Sequence, residues 1–435
     1  MYPVPKIITN GLKRVVSDAV LQDMHRLRAW TFRRVSFVCN GFQVCPPSFP
    51  IKRFAKRDHQ LFFGYYDVSP INFDDSILLA VQAPLPNVSL STGSRLEVGY
   101  YNLGNGDEFV KIGDTFTWCW QQGCRLQWYP LLDCGKNNTV IYNTMVNGSY
   151  GSCIQDIRSK NILSEFERAI YAMSPDGHYG FSLPFSRLGR LRPGYGYMAL
   201  KDETEDDFAP VNDGIWRIDM ASCSETLLFS IAEIANFKPH DTMQGAEHYF
   251  NHISVNPTGK RLLFFHIWKK GSERHTRIIT CNIDGTEPYV LVNDGVASHY
   301  TWKDEDTLLC FILKARGGEK HYFLCKDRTS GRSIIGSDVL NMDGHPTYSQ
   351  DGRFLLTDTY MDKCGCLNLL LFDVEETNLI KLGSFYTPAG FVGELKCDLH
   401  PRWSPTGRFI AFDSAHTGKR ELYVMDLSAL FNSLI

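Results

Sequence analysis

Four histidines, His252, His299, His345 and His400, stand at the same point of four successive repeats. Each opens a short segment that runs into a turn, as in His252-Ile-Ser-Val-Asn-Pro-Thr-Gly and His400-Pro-Arg-Trp-Ser-Pro-Thr-Gly. The spacings are 47, 46 and 55 residues, the size of one small antiparallel sheet with its loops. Imidazole is the commonest protein ligand for metals. If the repeats circle an axis, the four side chains aim at a common centre. Zinc and manganese take several imidazoles, often with a carboxylate or thiolate and an open position for water or substrate. His299, His345 and His400 are therefore candidate ligands of a divalent metal, manganese or zinc, with Cys397 as an extra ligand three residues before His400. The competing reading is a row of polar residues that hydrogen-bond across a channel.

Three further clusters carry chemistry-bearing side chains. Around the fourth repeat, Glu247-His-Tyr-Phe-Asn-His252, His266-Ile-Trp and Arg274-His-Thr-Arg277 place four histidines in about thirty residues beside arginine and tryptophan. For any one of these histidines, a buried and satisfied ring is the alternative to a role in chemistry. A long insertion, residues 183–214, begins with Arg187, Arg190 and Arg192 and continues through Tyr195 and Tyr197. Such a loop suits clamping an anion and stacking on a ring, unless the Asp202-Glu-Thr-Glu-Asp-Asp stretch that follows neutralises it. Finally Trp118-Cys-Trp120-Gln-Gln122-Gly-Cys-Arg125 and Phe62-Phe-Gly-Tyr65-Tyr66 lead into inner strands, and bring Trp120, Gln122, Arg125 and Tyr66 towards a mouth. Core packing is the alternative for about half of these aromatics.

The elements that must position these groups follow from a second repeat. A strand ending in Asp or Asn recurs at Asn102, Asp156, Asp219, Asn282, Lys326-Asp327, Asp373 and Asp426, in steps of 54, 63, 63, 44, 47 and 53 residues. Upstream of most copies lies a Ser-Pro-Asp-Gly-like turn and an apolar strand, as at Ser174-Pro-Asp-Gly and Ser404-Pro-Thr-Gly. Each unit reads as four antiparallel strands. Seven such units predict an all-β fold, a seven-bladed β-propeller spanning residues 51–435. Too little chain follows Leu427 for a last outer strand, so Ile51 to Arg57 is expected to supply it and close the ring. Residues 1–50 differ. Leu12, Val15, Val16, Val20, Leu21, Met24, Leu27 and Trp30 recur with a helical period among arginines, which predicts an amphipathic α-helix and linker. It would pack on the propeller or a partner, with peripheral membrane contact as the alternative.

Composition bounds the partners. Hydrophobic residues make up 43% of the 435 residues, charged ones 21%, and the net charge is −3, which gives no support to nucleic-acid binding. Thirteen cysteines without small-scaffold spacing argue against a disulfide framework. The amino terminus lacks the pattern of a secretory signal and no run of eighteen apolar residues occurs, which predicts a cytoplasmic protein without a transmembrane segment. The sequons at Asn87, Asn137 and Asn147 then carry no glycan. There is no G-x-S-x-G elbow, Walker loop or dinucleotide fingerprint.

The His-Pro-x-[Tyr/Trp]-Ser-x-x-Gly-Arg segments at His345 and His400, with Phe412-Asp-Ser-Ala-His-Thr-Gly-Lys-Arg-Glu-Leu-Tyr, resemble the seven-bladed oligogalacturonate lyases. More loosely they are similar to the ulvan lyases and TolB-like propellers. The resemblance covers roughly residues 250 to 430. It implies a divalent metal, usually manganese, held in the channel by histidines and a glutamine, partly from a Gln-x-x-His-x-His run. Here that run reads Cys397-Asp-Leu-His400-Pro-Arg402, with Cys397 in place of the glutamine and Arg402 in place of the second histidine. Cys397 could ligate zinc instead, and Arg402 could take over part of the charge neutralisation or contact the substrate. The implied activity is β-elimination on an acidic, uronate-containing oligosaccharide. His266 or His252 would be the base, and Arg274, Arg125 or a metal the electrophile. Tyr65, Tyr66 or Tyr300 would be the acid, while Arg187, Arg190, Arg192, Tyr195, Trp120 and Gln122 hold the polyanion. The competing expectation is a non-catalytic propeller that binds a glycan or a protein through the same mouth.

Overall fold

A computed structural model of the chain describes residues 48–85, 94–104, 108–130, 138–293, 295–314 and 320–432. The helix expected between Leu12 and Val38 lies outside them. Seven four-stranded antiparallel sheets follow one another around a ring. Their innermost strands are His59–Phe62, Gln127–Trp128, Ala172–Met173, Glu247–Val255, Gly295–Trp302, Thr347–Tyr348 and Arg402–Trp403. The last blade takes its outermost strand from the other end of the chain: Ile51–Phe54 pairs antiparallel with Glu421–Asp426, in the register Ile51 to Met425. The ring is thus joined by backbone hydrogen bonds, which removes the open edges a linear array would leave. Among the described residues no helix is long and apolar enough to cross a membrane.

The recurring Asp or Asn ends the third strand of six blades, while that of blade five ends at Lys326 with Asp327 just beyond it. Its function there is local. The Oδ1 of Asp156 accepts the backbone N–H groups of Arg158 and Ser159, that of Asp219 those of Ala221 and Ser222, and that of Asp373 those of Glu375 and Glu376. The carboxylate closes the turn into the outer strand, as short Asx side chains do. The Ser-Pro-Asp-Gly-like segments join the first strand to the second. The hydroxyl oxygens of Ser174, Ser349 and Ser404 accept the N–H of Tyr179, Phe354 and Phe409 at 2.9, 2.9 and 3.1 Å. The glycine of that turn lies at φ +72° to +76° at Gly177, Gly352 and Gly407, which a side chain would resist.

The core lies between blades, where apolar residues of neighbouring sheets interleave; Leu79, Leu262, Phe264, Leu308 and Ile278 are fully buried there. Polar pairs are set into it. The Arg261 guanidinium donates to Asp327 at 2.8 Å, and the Arg402 guanidinium to Asp413 at 3.1 Å.

One buried polar relay fixes blade three to blade four. Arg277 donates from Nε to His266 Nδ1 at 3.0 Å, and His266 Nε2 lies 2.9 Å from His248 Nδ1. Since His266 Nδ1 accepts, its Nε2 carries the proton and donates to His248. Arg277 also donates to the carbonyls of Ile234, Phe237 and Lys238, on the helix Ile231–Asn236 and just beyond it. Both imidazoles are neutral in this chain. Burial, with Arg277 and Arg187 nearby, pushes the His248 ring down to about 4 from its ordinary 6.5. The unfolded chain therefore takes up protons first as the pH falls, and the stability from this pair, complete above about pH 6.5, is lost as pH drops towards 4. Urea midpoints should fall between pH 7 and pH 4.5, and fall less steeply in His248→Gln. An equally steep decline in that variant would place the acid sensitivity elsewhere.

Candidate functional site

The four aligned histidines reach the channel by different local routes. In blades four and five the inner strand is long, and its ladder slips at the histidine, between Asn251 and Ser254 and between Ala297 and Tyr300. Such a bulge re-aims a side chain. In blades six and seven the histidine stands two residues ahead of a short inner strand. His299, His345 and His400 gather: ring centroids are 4.0 Å apart for the first pair and 4.3 Å for the second. His252 sits at φ +57° and stacks on Tyr65 at 5.1 Å. Its Nδ1 lies 3.3 Å from the Tyr171 hydroxyl and its Nε2 3.1 Å from Asn251 Nδ2, so both nitrogens are occupied.

Each gathered ring is anchored through Nδ1. His345 bonds both oxygens of Asp358 at 2.8 and 3.0 Å, His299 bonds Asp343 at 2.9 Å, and His400 bonds the Gly64 carbonyl at 2.9 Å. Acceptor-only partners require Nδ1–H and leave the Nε2 lone pairs free. The Nε2 atoms of His345 and His400 are buried and have no hydrogen-bond partner, as do both oxygens of Asp398, although Lys396 Nζ lies 2.8 Å from one of them. One ligand atom from each of His345, His400 and Asp398 falls within 4.8 Å of the others. Metal–ligand bonds of about 2.1 Å would bridge that span after a small closure. Two buried imidazole nitrogens without donors, beside a carboxylate whose nearest cation is Lys396, suit a divalent cation.

Asp398 thus stands where Cys397 was expected. The Cys397 side chain turns away into an apolar pocket with Phe391 and Ala415, and burial pushes its thiol up to about 12, far from the thiolate a metal needs. His299 lies beside the trio, its Nε2 3.5 Å from the Tyr360 hydroxyl. Burial and the neighbouring His345 lower its proton affinity, against the pull of Asp343.

Around the histidines the mouth is cationic and aromatic. Lys396 Nζ lies 3.8 Å from the Tyr360 ring centroid, and the Arg192 guanidinium 4.0 Å from that of Tyr195. Tyr65 meets His400 edge-on at 4.9 Å, and its buried hydroxyl has no partner. Arg274 is held below its ordinary value chiefly by the charge of Arg192, then by burial. No carboxylate pairs with either arginine among the described residues. Two cations that repel one another beside phenol rings make a receptor for an anion.

The other candidates serve the scaffold. Arg187 is fully buried and donates to the carbonyls of His248, Thr204, Asp207 and Phe208. Arg190 is neutralised by Asp202 and Glu247. Of the three arginines in the insertion, only Arg192 faces the mouth. Arg125, at φ +55°, forms a two-pronged pair with Asp67, both contacts at 3.0 Å, and stacks on Tyr171. The Tyr66 hydroxyl donates to the Tyr300 carbonyl and accepts the Tyr300 N–H, leaving it no proton to give. The Tyr300 hydroxyl is buried without a partner, its ring against Phe265 and His252. His266 is spent in the relay with His248. Trp120 packs on Phe62 and Trp118 in the core, and Gln122 donates to Asn251. Arg402 holds Asp413 and the carbonyls of Gly64 and Tyr65.

Asp398, Asp343, Tyr360 and Lys396 were not singled out in the sequence. All four lie in connections between strands, outside the repeated pattern. Gln121 ties two of these connections together: its N–H donates to the Gly194 carbonyl, and its amide donates to the carbonyls of Glu394 and Lys396.

No protein-family model matches the chain, and no curated protein matches it in sequence. The fold does have relatives among solved structures. It is similar to an oligogalacturonate lyase solved in complex with manganese, at a TM-score of 0.62 and 14% identity, over 90% of this chain and 96% of that one. It is also similar to an oligogalacturonate lyase from Vibrio parahaemolyticus, at a TM-score of 0.61 and 12% identity, over 89% and 97% of the two chains. The chain has the seven-bladed propeller architecture of these proteins along nearly its whole described length.

Proposed function

We propose that the protein is a metal-dependent lyase acting on uronate-containing oligosaccharides. The observation that carries this reading is the pair of anchored imidazoles with unpartnered Nε2 atoms beside Asp398, together with two arginines that pair with no carboxylate among the described residues. His345, His400 and Asp398 would hold the metal, which when bound would act as a Lewis acid on the substrate carboxylate. The oligogalacturonate lyase of similar fold was solved in complex with manganese, which supports a divalent metal in this reading.

β-Elimination removes the proton α to the carboxylate, forms a carbon–carbon double bond and expels the β oxygen, which takes up a proton. His299 has the arrangement of a base. Asp343 holds its Nδ1–H, and Nε2, 3.5 Å from the Tyr360 hydroxyl, carries the lone pair that would accept the α proton. Asp343 is itself pushed up by burial, but His299 and Ser298 override this and keep it ionised, ready to balance an imidazolium. Arg192 and Arg274 neutralise the carboxylate as it gains enolate charge. Tyr360, whose hydroxyl lies 3.5 Å from His299 Nε2, can protonate the leaving oxygen, and Tyr65, whose ring meets His400 edge-on and whose hydroxyl has no partner, is the alternative.

A second reading, a non-catalytic propeller that binds an acidic glycan, rests on Arg192 and Arg274 with Tyr195, which would hold an anion without any chemistry. One experiment separates the two. Purified protein is analysed for metal, loaded with manganese, and mixed with diverse uronate oligosaccharides while ultraviolet absorbance follows the conjugated product. Bound metal and rising absorbance are expected. Glycan binding with no absorbance change would favour the second reading, and absence of both would sink the two together.

A further inference from the structure

We propose that Asp358 is the positioning residue that sets both imidazole ligands at once, one on blade six and one on blade seven. This rests on the metal reading above. Asp358 ends the second strand of blade six, Phe354–Asp358, and its side chain is fully buried. Its Oδ1 accepts the backbone N–H of His345 at 2.8 Å and the ring Nδ1–H at 2.8 Å. Its Oδ2 lies 3.0 Å from the same Nδ1 and accepts the backbone N–H of His400 at 3.1 Å. One carboxylate therefore fixes the tautomer and direction of the first ligand and the backbone of the second.

Two features of the backbone show that this contact is built in. His400 sits at φ +44°, a conformation that non-glycine residues adopt at a cost, and its N–H is thereby turned to Asp358. Ahead of His345 the chain passes so close to blade six that a Cβ on Gly344 would stand 1.8 Å from the Asp358 carbonyl oxygen. Only glycine permits that approach, and it brings His345 onto the carboxylate. The other anchors act singly: Asp343 holds His299, and Gly64 holds the ring of His400.

An amide at this position separates orientation from packing. Asn has the shape of Asp but one oxygen and one NH2, and the NH2 can only donate. If it faces His345, it meets Nδ1 and stabilises the Nε2–H tautomer, which puts a proton where the metal must bind. If it faces His400, it opposes that N–H and releases the strained backbone. Either orientation spoils one ligand.

In Asp358→Asn, manganese affinity measured by calorimetry well below the melting temperature should fall about 10–100-fold, the usual cost of losing such a partner. Asp327→Asn is the control. Asp327 is also buried, but it serves Arg261 and Thr280 in the scaffold, so its loss should lower the melting temperature and leave manganese affinity unchanged. If Asp358→Asn does not fold, the wild type still gives the answer. Nitrogen-15 spectra of labelled histidine should show His345 protonated at Nδ1, with its Nε2 resonance the one displaced by zinc. Equal affinity in wild type and Asp358→Asn, or an Nε2-protonated His345, would overturn this proposal alone. No metal binding by the wild type would overturn the reading of the site and this proposal with it.

Discussion

Replacing His299 by Gln should cut the rate of elimination about 10²–10⁴-fold, the range for losing a positioned general base, while manganese still binds. Replacing His345 or His400 by Ala should remove metal and activity together. The contrast comes from geometry. Although the three rings are neighbours, the cluster that closes to within 4.8 Å is His345, His400 and Asp398. His299 stands to one side with Asp343 on its Nδ1 and the Tyr360 hydroxyl 3.5 Å from its Nε2. Gln cannot take up a proton at neutral pH but keeps polar contact with Asp343, so the fold should survive. Metal content, calorimetric affinity and ultraviolet progress curves read the three properties separately. If His299→Gln loses manganese as completely as His345→Ala, His299 is a ligand, as its place in the row of histidines first suggested, and the base must be sought elsewhere.

That ambiguity shows what a repeat can and cannot convey. The Asp at the end of the third strand is visible in the sequence because blades two, three, six and seven use the same turn, closed by the same side-chain oxygen. The histidine row is visible for a similar reason, since each stands in or just ahead of an inner strand. Where the rings point is a different matter. A bulge and a positive φ turn His252 aside onto Tyr65, and nothing in the local residues of that segment announces it. The arginines of the insertion read as an anion clamp, yet Arg190 is met by Glu247 of the next blade, a contact that exists only once the blades are packed. Asp398 was hidden by a motif. The resemblance pointed to position 397, but strand-like alternation before Arg402 sends Cys397 into the apolar pocket and its neighbour to the channel. Residues from unrepeated connections, Asp343, Tyr360 and Lys396, have no period to betray them.

Removing the Arg402 guanidinium, as in Arg402→Met, should cost about 3–5 kcal/mol of stability, the scale for breaking a buried ion pair on one side. Arg402 is 1% exposed, and its guanidinium serves Asp413, Tyr65 O and Gly64 O together. Without it Asp413 is left fully buried with Phe63 N–H as its remaining partner. Burial already holds that carboxyl above its ordinary value despite Arg402 and Arg420. The double variant Arg402→Met with Asp413→Leu should recover much of the loss, because a buried pair replaced by apolar groups of similar volume is often neutral. Manganese affinity should not recover with it. The Gly64 carbonyl is shared between Arg402 and His400 Nδ1, so the guanidinium holds in place the oxygen that aims the second imidazole. Gly64 has φ +148°, and a Cβ there would stand 2.9 Å from the Gln122 carbonyl oxygen, so this segment is closely fitted between blades one and two. Urea unfolding and calorimetry on the single and double variants separate the two roles. Recovery of stability without metal affinity is the expected pattern. Recovery of both would reduce Arg402 to a partner of Asp413 and leave the aim of His400 to the loop itself.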